Sequence, residues 1–373
     1  MASHRHDRPR PRGAHRPERH GRFDLLEEAS RLLRAGEPLE LLNYASGLVA
    51  ALDPRRADPL ARVRATSKEP NGLAHFVEAL GDTADVGAAA LLASIAELAP
   101  DAPTRTRART ALIGRDEALP EWLTHLGATS VARALTVSHA LGDGEDVMLE
   151  LRVAGRVATI AVYVDHDLGT VVKDAFVIPV GPDRALEAGR RALGDPDLVV
   201  ADADLADARA RVAEALDLAD ATYPPYESET WPLCQPLLEW ALRTLPEGGA
   251  GYARAEWDDD ARDSLSEEFF ASEAGRALDD GAHRDLFDSL VWYKTGYGAG
   301  DPLRWSAVSV EIVLDWLPRK VLGPEGQLAL APELLRALIP YGHARRGIRP
   351  ELTAEALATL ERFEPAFRRR LAR

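Results

Sequence analysis

Phe23, Leu26, Ala29, Leu32 and Leu33 recur at the three- and four-residue spacing of an amphipathic helix. The same spacing returns in PLELLNYASGLVAAL, GLAHFVEAL and DVGAAALLASIAELAP. Pro38 suits a first helical position, where a missing N–H costs nothing, and Pro100 stops the last of these runs. PEWLTHLG and TSVARALTVSHALGDG extend the helical reading. Residues 23–141 are therefore expected to form an N-terminal region of six or seven short helices, with no fixed repeat period linking them.

The period then changes. EDVMLELRVAG, RVATIAVYVDHD and GTVVKDAFVIP are rich in β-branched and aromatic residues with approximate alternation. Ala154-Gly155 and Asp167-Leu168-Gly169 stand between them, where tight turns are wanted. This pattern predicts a three-stranded antiparallel meander inside a small α/β region, residues 142–222. PDRALEAGRRALGD follows as a helix, DLVVAD as a candidate short strand, and ADLADARARVAEALDLADATY as a helix capped by Asp202 or Asp204. Beyond Pro224-Pro225 the pattern is helical to the end, giving a C-terminal helical region over residues 223–373. The expected class is α+β, predominantly α-helical with a small embedded sheet.

Charge alters this picture at the start of the chain. Residues 1–22 hold seven arginines against Asp7 and Glu18, a net of +5, so the overall −15 leaves −20 for residues 23–373. The basic tail, built of Pro, Arg, His and Gly, has nothing to bury and is expected to lack fixed structure. So acidic a body repels phosphate backbones and anionic bilayers, which disfavours nucleic-acid and membrane partners. No apolar run approaches the ~18 residues of a transmembrane span, and the N-terminus has no apolar signal core. Cys234 is the only cysteine, which rules out an intrachain disulfide and a thiolate metal cage. A cytoplasmic protein is expected.

Candidate chemistry is sparse. In YVDHDLGTVVKDAF, Asp165 and Asp167 are two apart and share one face of an extended segment, with His166 between them. The pair could hold Mg²⁺ or Mn²⁺ with a third ligand from elsewhere. Asp and Gly are equally what a hairpin turn requires, and the turn is the preferred reading. Lys173 is expected to pair with Asp165 or Asp167 across the hairpin. Glu311, Asp315 and Arg319 form a polar stripe at i, i+4 and i+8 on an apolar helix, with Arg304 before it, and read as salt bridging. KTGYGAGD reads as a helix–helix loop, because it follows a helix and lacks a Gly-Lys-Ser/Thr order. Cys234 reads as core. The arginines from Arg336 to Arg373 could line a DNA groove, but the acids between Glu256 and Asp288 offer internal partners.

The stretches DPLRWSAVSVEIVLDWLPRKV, YVDHDLGTVVKDAFV and YPPYESETWPLCQPLLEW resemble an uncharacterised family of hypothetical proteins from high-GC Gram-positive bacteria. The resemblance covers roughly residues 38–373. It implies a bacterial origin and brings no activity, ligand or residue role with it. The expected function is therefore binding of a protein or small ligand, with no cofactor required. A metal-assisted hydrolase using the Asp165–Asp167 loop is the alternative, and a nucleic-acid regulator ranks third.

Overall fold

Capping carboxylates and hydroxyls start some of the helices, and proline at a first helical position starts others. The structure, a computed structural model, describes residues 20–53, 72–252, 255–321 and 325–372. Most of the expected basic tail, residues 1–19, lies outside the described residues. Helix α1 (His20–Ala35) is followed by α2 (Pro38–Ala51), α3 (Gly72–Gly81), α4 (Val86–Leu98), α5 (Ala102–Ala111) and the single turn α6 (Glu121–Thr124). Asp85 caps α4 by accepting from the amides of Gly87 and Ala88 at 2.7 and 3.2 Å, and Asp101 caps α5 through Thr104 at 2.7 Å.

Five strands follow rather than three. These are β1 (Ser130–His139), β2 (Gly144–Val153), β3 (Arg156–Asp165), β4 (Val171–Ile178) and, after α7 (Pro182–Leu193), β5 (Leu198–Ala203). They form one antiparallel sheet in the order β4-β3-β2-β1-β5. Beyond the meander lie β5, the short strand expected at DLVVAD, and β1. The β1 segment reads as a helix on the sequence because Val131, Ala134, Leu135 and Ser138 fall at helical spacing. In the sheet, a register shift between Val131 and Arg133 breaks the alternation. Leu135 and Val137 then face a second, smaller apolar cluster on the outer side, so both faces of β1 carry apolar residues.

The C-terminal half comprises α8 (Leu205–Ala221), α9 (Gln235–Arg243), α10 (Asp259–Ala271), α11 (Gly281–Gly296), α12 (Ala307–Lys320), the turn α13 (Glu325–Leu328), α14 (Ala331–Arg346) and α15 (Pro350–Leu371). Ser306 and Ser309 make a reciprocal capping box at the start of α12.

The apolar interior falls into two large clusters. The first joins α1–α5, the inner sheet face, α8 and α9, so α9 packs with the N-terminal elements although its sequence runs on into the C-terminal helices. The second lies within α10–α15, around Trp305, Phe269, Phe287 and Phe367. Cys234 is buried in the first cluster, and burial pushes its thiol up to about 12. The two lobes meet at one end of the sheet, where polar side chains take over from apolar packing. No helix among the described residues is long and apolar enough to cross a membrane.

Candidate functional site at the lobe seam

Antiparallel pairing brings three connections to the same end of the sheet: 140–143 between β1 and β2, 166–170 between β3 and β4, and 194–197 before β5. The C-terminal lobe docks here. Arg304 donates to the carbonyl of Ala140 at 3.1 Å, Arg349 to Asp197 at 2.6 Å and Lys294 to Asp167 at 3.1 Å.

The turn chemistry expected for YVDHDLGTVVKDAF is present around Asp165. Its Oδ1 accepts from the Leu168 amide at 3.0 Å, and its Oδ2 holds Lys173 Nζ at 2.8 Å. Gly169 sits at φ +96, a conformation that favours glycine. Asp167 does something else. It leaves the turn and meets Lys294, 127 residues away, in a pair whose side chains are 1% and 0% exposed. The Lys294 ammonium also lies 5.4 Å from the centre of the Trp305 ring.

Asp143 completes this cluster. Its carbonyl accepts from the amides of His166 at 2.7 Å and Asp167 at 3.3 Å, which ties the two hairpin turns together. Its carboxyl shares this cluster with Asp167, Lys294 and Ser306, each of which acts on its protonation. Asp143 Oδ1 and Asp167 Oδ2 are both shielded from solvent and otherwise unpartnered. With the Asp143 carboxyl protonated, one carboxylate stands opposite one ammonium, the neutral count that a buried cluster needs. Burial first, and then the Asp167 charge, push Asp143 up to about 7, against the pull of Lys294 and Ser306. Burial and then nearby carboxylates, led by Asp165 for Tyr163 and by Asp167 for Tyr293, raise both phenols, and the buried Tyr293 hydroxyl is itself unpartnered.

His166 is engaged as well. Its Nδ1 lies 3.3 Å from Thr170 Oγ1, and its ring meets Tyr252 edge-on at 5.1 Å. Tyr252 in turn donates to Glu145 at 2.7 Å. The sequence candidates Asp165, His166 and Asp167 are therefore adjacent in the chain but spread over three separate sets of partners.

Beside the buried cluster a cleft of about 450 Å³ opens between the lobes. His139, Asp143 and Asp195 line it from the sheet side, and Ser306, Val308, Arg349 and Glu355 from the C-terminal lobe. Among the described residues, the histidine and carboxylate atoms that gather within 4.8 Å of one another belong to His139, Asp195 and Asp197. Their bonding leaves little for a cation. His139 Nδ1 accepts from the Leu141 amide at 3.1 Å, which puts the ring proton on Nε2, facing Asp195 at 3.6 Å. Asp197 is held by Arg349. A metal would have to break both arrangements to gain its ligands.

The other candidates are surface features. Glu311 is exposed, and Asp315 pairs with Arg319 at 3.0 Å and with Arg370. Of the C-terminal arginines, Arg345 finds Glu268 within the acidic stretch, as expected. Arg336 and Arg368 use Glu364 instead, Arg346 uses Asp301 and Arg349 uses Asp197.

Asp143, Lys294, Ser306, His139, Asp195 and Arg349 were not singled out on the sequence as a site. Lys294 alone carried a signal. It falls on the stripe His283, Phe287, Leu290, Lys294, at i, i+4, i+7 and i+11, all of them buried. A lysine on an apolar stripe requires a buried partner.

Compared with family models, curated proteins and solved structures, the chain matches none.

Proposed function

We propose that this chain acts by binding a small polar ligand in the cleft at the lobe seam. The cleft itself carries the reading: about 450 Å³ of space with polar groups contributed by both lobes. That volume lies within the ~300–1,000 Å³ typical of small-molecule sites. His139 and Asp195 from one side, and Arg349 and Glu355 from the other, offer donors and acceptors to a ligand carrying both. The Asp165–Asp167 hydrolase alternative loses support, because each carboxylate already holds a lysine.

Thermal unfolding in the presence of amino acids, dicarboxylates, polyols and nucleosides tests this reading. A ligand at about 100 times its Kd adds roughly 2.7 kcal/mol of stability, which is readily seen as a rise in Tm. Val308 is half exposed at the cleft wall, so Val308→Trp should fill the space while leaving the fold intact. The expected result is a rise in Tm for one ligand class that disappears in Val308→Trp. A rise that survives the substitution, or no rise in any class, would overturn the proposal.

A further inference from the structure

The outer surface of the C-terminal lobe carries exposed aromatic rings. Trp292 is 45% exposed and Tyr297 52% exposed. Their rings lie 5.1 Å apart, and half-buried Trp316 completes a triangle with ring centres at 6.0 Å from Trp292 and 6.2 Å from Tyr297. A groove of about 500 Å³ runs along this cluster between α11 and α12, bounded by Asp288, Ser289, Arg262 and Lys320. Large exposed indoles mark contact surfaces, because water solvates them poorly and a partner ring or chain covers them well.

The groove also has a sign. Asp288 stands close enough to Asp263 and Asp285 for their charges, after burial, to raise its carboxyl. Arg262 and Arg284 act the other way, but both are already engaged, Arg262 by Asp259 at 2.5 Å and Arg284 by Asp279 and Glu267 at 2.6 Å each. Lys320 adds one positive charge at the far rim. An aromatic floor beside an acidic cluster suits a segment rich in proline and arginine. Proline rings stack on indoles at no cost in side-chain entropy, and guanidinium groups bind both aromatic faces and carboxylates.

The chain contains such a segment. Residues 1–19 hold six arginines against Asp7 and Glu18, and Arg8-Pro9-Arg10-Pro11-Arg12 alternates the two residue types. We propose that this groove seats the chain's own residues 1–19, with prolines on the indole faces and arginines against the carboxylates.

The test uses the full chain and a fluorescent synthetic peptide of residues 1–19. In an Arg8→Ser, Arg10→Ser, Arg12→Ser variant the groove stands vacant, so the peptide should bind roughly tenfold more tightly than to the wild type. Adding Trp292→Ser to that variant should abolish binding, and adding Asp288→Lys should weaken it. The Asp288→Lys arm keeps the test informative if the tryptophan variant misfolds. Raising salt from about 50 to about 500 mM should also weaken binding. Equal affinity for wild type and the triple-serine variant would overturn the proposal, as would binding indifferent to both groove substitutions. A doubled mass of the wild type that the triple-serine variant lacks would place the segment on a second copy and overturn docking within one chain.

Discussion

Asp165 and Asp167 flank the same histidine, both are buried and both end on a lysine, yet the two pairs differ in where the lysine comes from and in whether water reaches it. Asp165 meets Lys173 eight residues on, and that lysine is 44% exposed. Asp167 meets Lys294 across 127 residues, with no solvent at either side chain. The first pair closes a hairpin, and water reaches its lysine. The second joins two lobes beside Asp143, whose raised carboxyl stays protonated and so keeps the cluster neutral. Proximity in the chain says little about which acid carries weight. Burial and the partner's origin decide it.

Breaking the buried pair should have the largest effect. Lys294→Met leaves Asp167 shielded and uncompensated, and chemical denaturation should show a loss of about 3–5 kcal/mol. The pH response comes next. Folded Asp143 keeps its proton up to about pH 7, whereas the unfolded chain releases it near 3.8. Between those values the folded state binds more protons, so stability falls as pH rises and the contribution is gone above about 7. Asp143→Asn stays neutral throughout. Its Tm relative to the wild type should therefore climb between about pH 4 and pH 8, and parallel Tm–pH curves would remove the Asp143 proton from the account.

Gly169→Val places a β-branched residue at φ +96. It should cost about 1–3 kcal/mol by thermal or chemical unfolding, through backbone strain alone, since nothing lies within 4 Å of where a Cβ would stand. Lys173→Ala is expected to be the mildest change, about 1 kcal/mol, because Lys173 is 44% exposed and the buried Asp165 keeps its Leu168 amide.

The difference between the pairs also explains how much was legible. Lys173 with Asp165 follows from hairpin geometry, which alternation and a glycine announce over a dozen residues. The meander was legible for the same reason. The β1 segment was not, because apolar residues on both faces and a bulge imitate helical spacing. Asp143 sits in GDGED, where turn chemistry is sufficient explanation for an aspartate. Its partnership with Asp167 exists only once two hairpins share a sheet end. The cleft depends on docking of the C-terminal lobe, and no local pattern encodes where two lobes meet.

A pair of double-mutant cycles bears most directly on the claim that the buried cluster, and not the hairpin pair, holds the seam. One cycle combines Asp167→Asn with Lys294→Met, and the other Asp165→Asn with Lys173→Met, each followed by chemical denaturation near pH 6. The account predicts a coupling above about 2 kcal/mol for Asp167–Lys294 and below about 1 kcal/mol for Asp165–Lys173. Equal couplings, or a larger one in the hairpin, would contradict it.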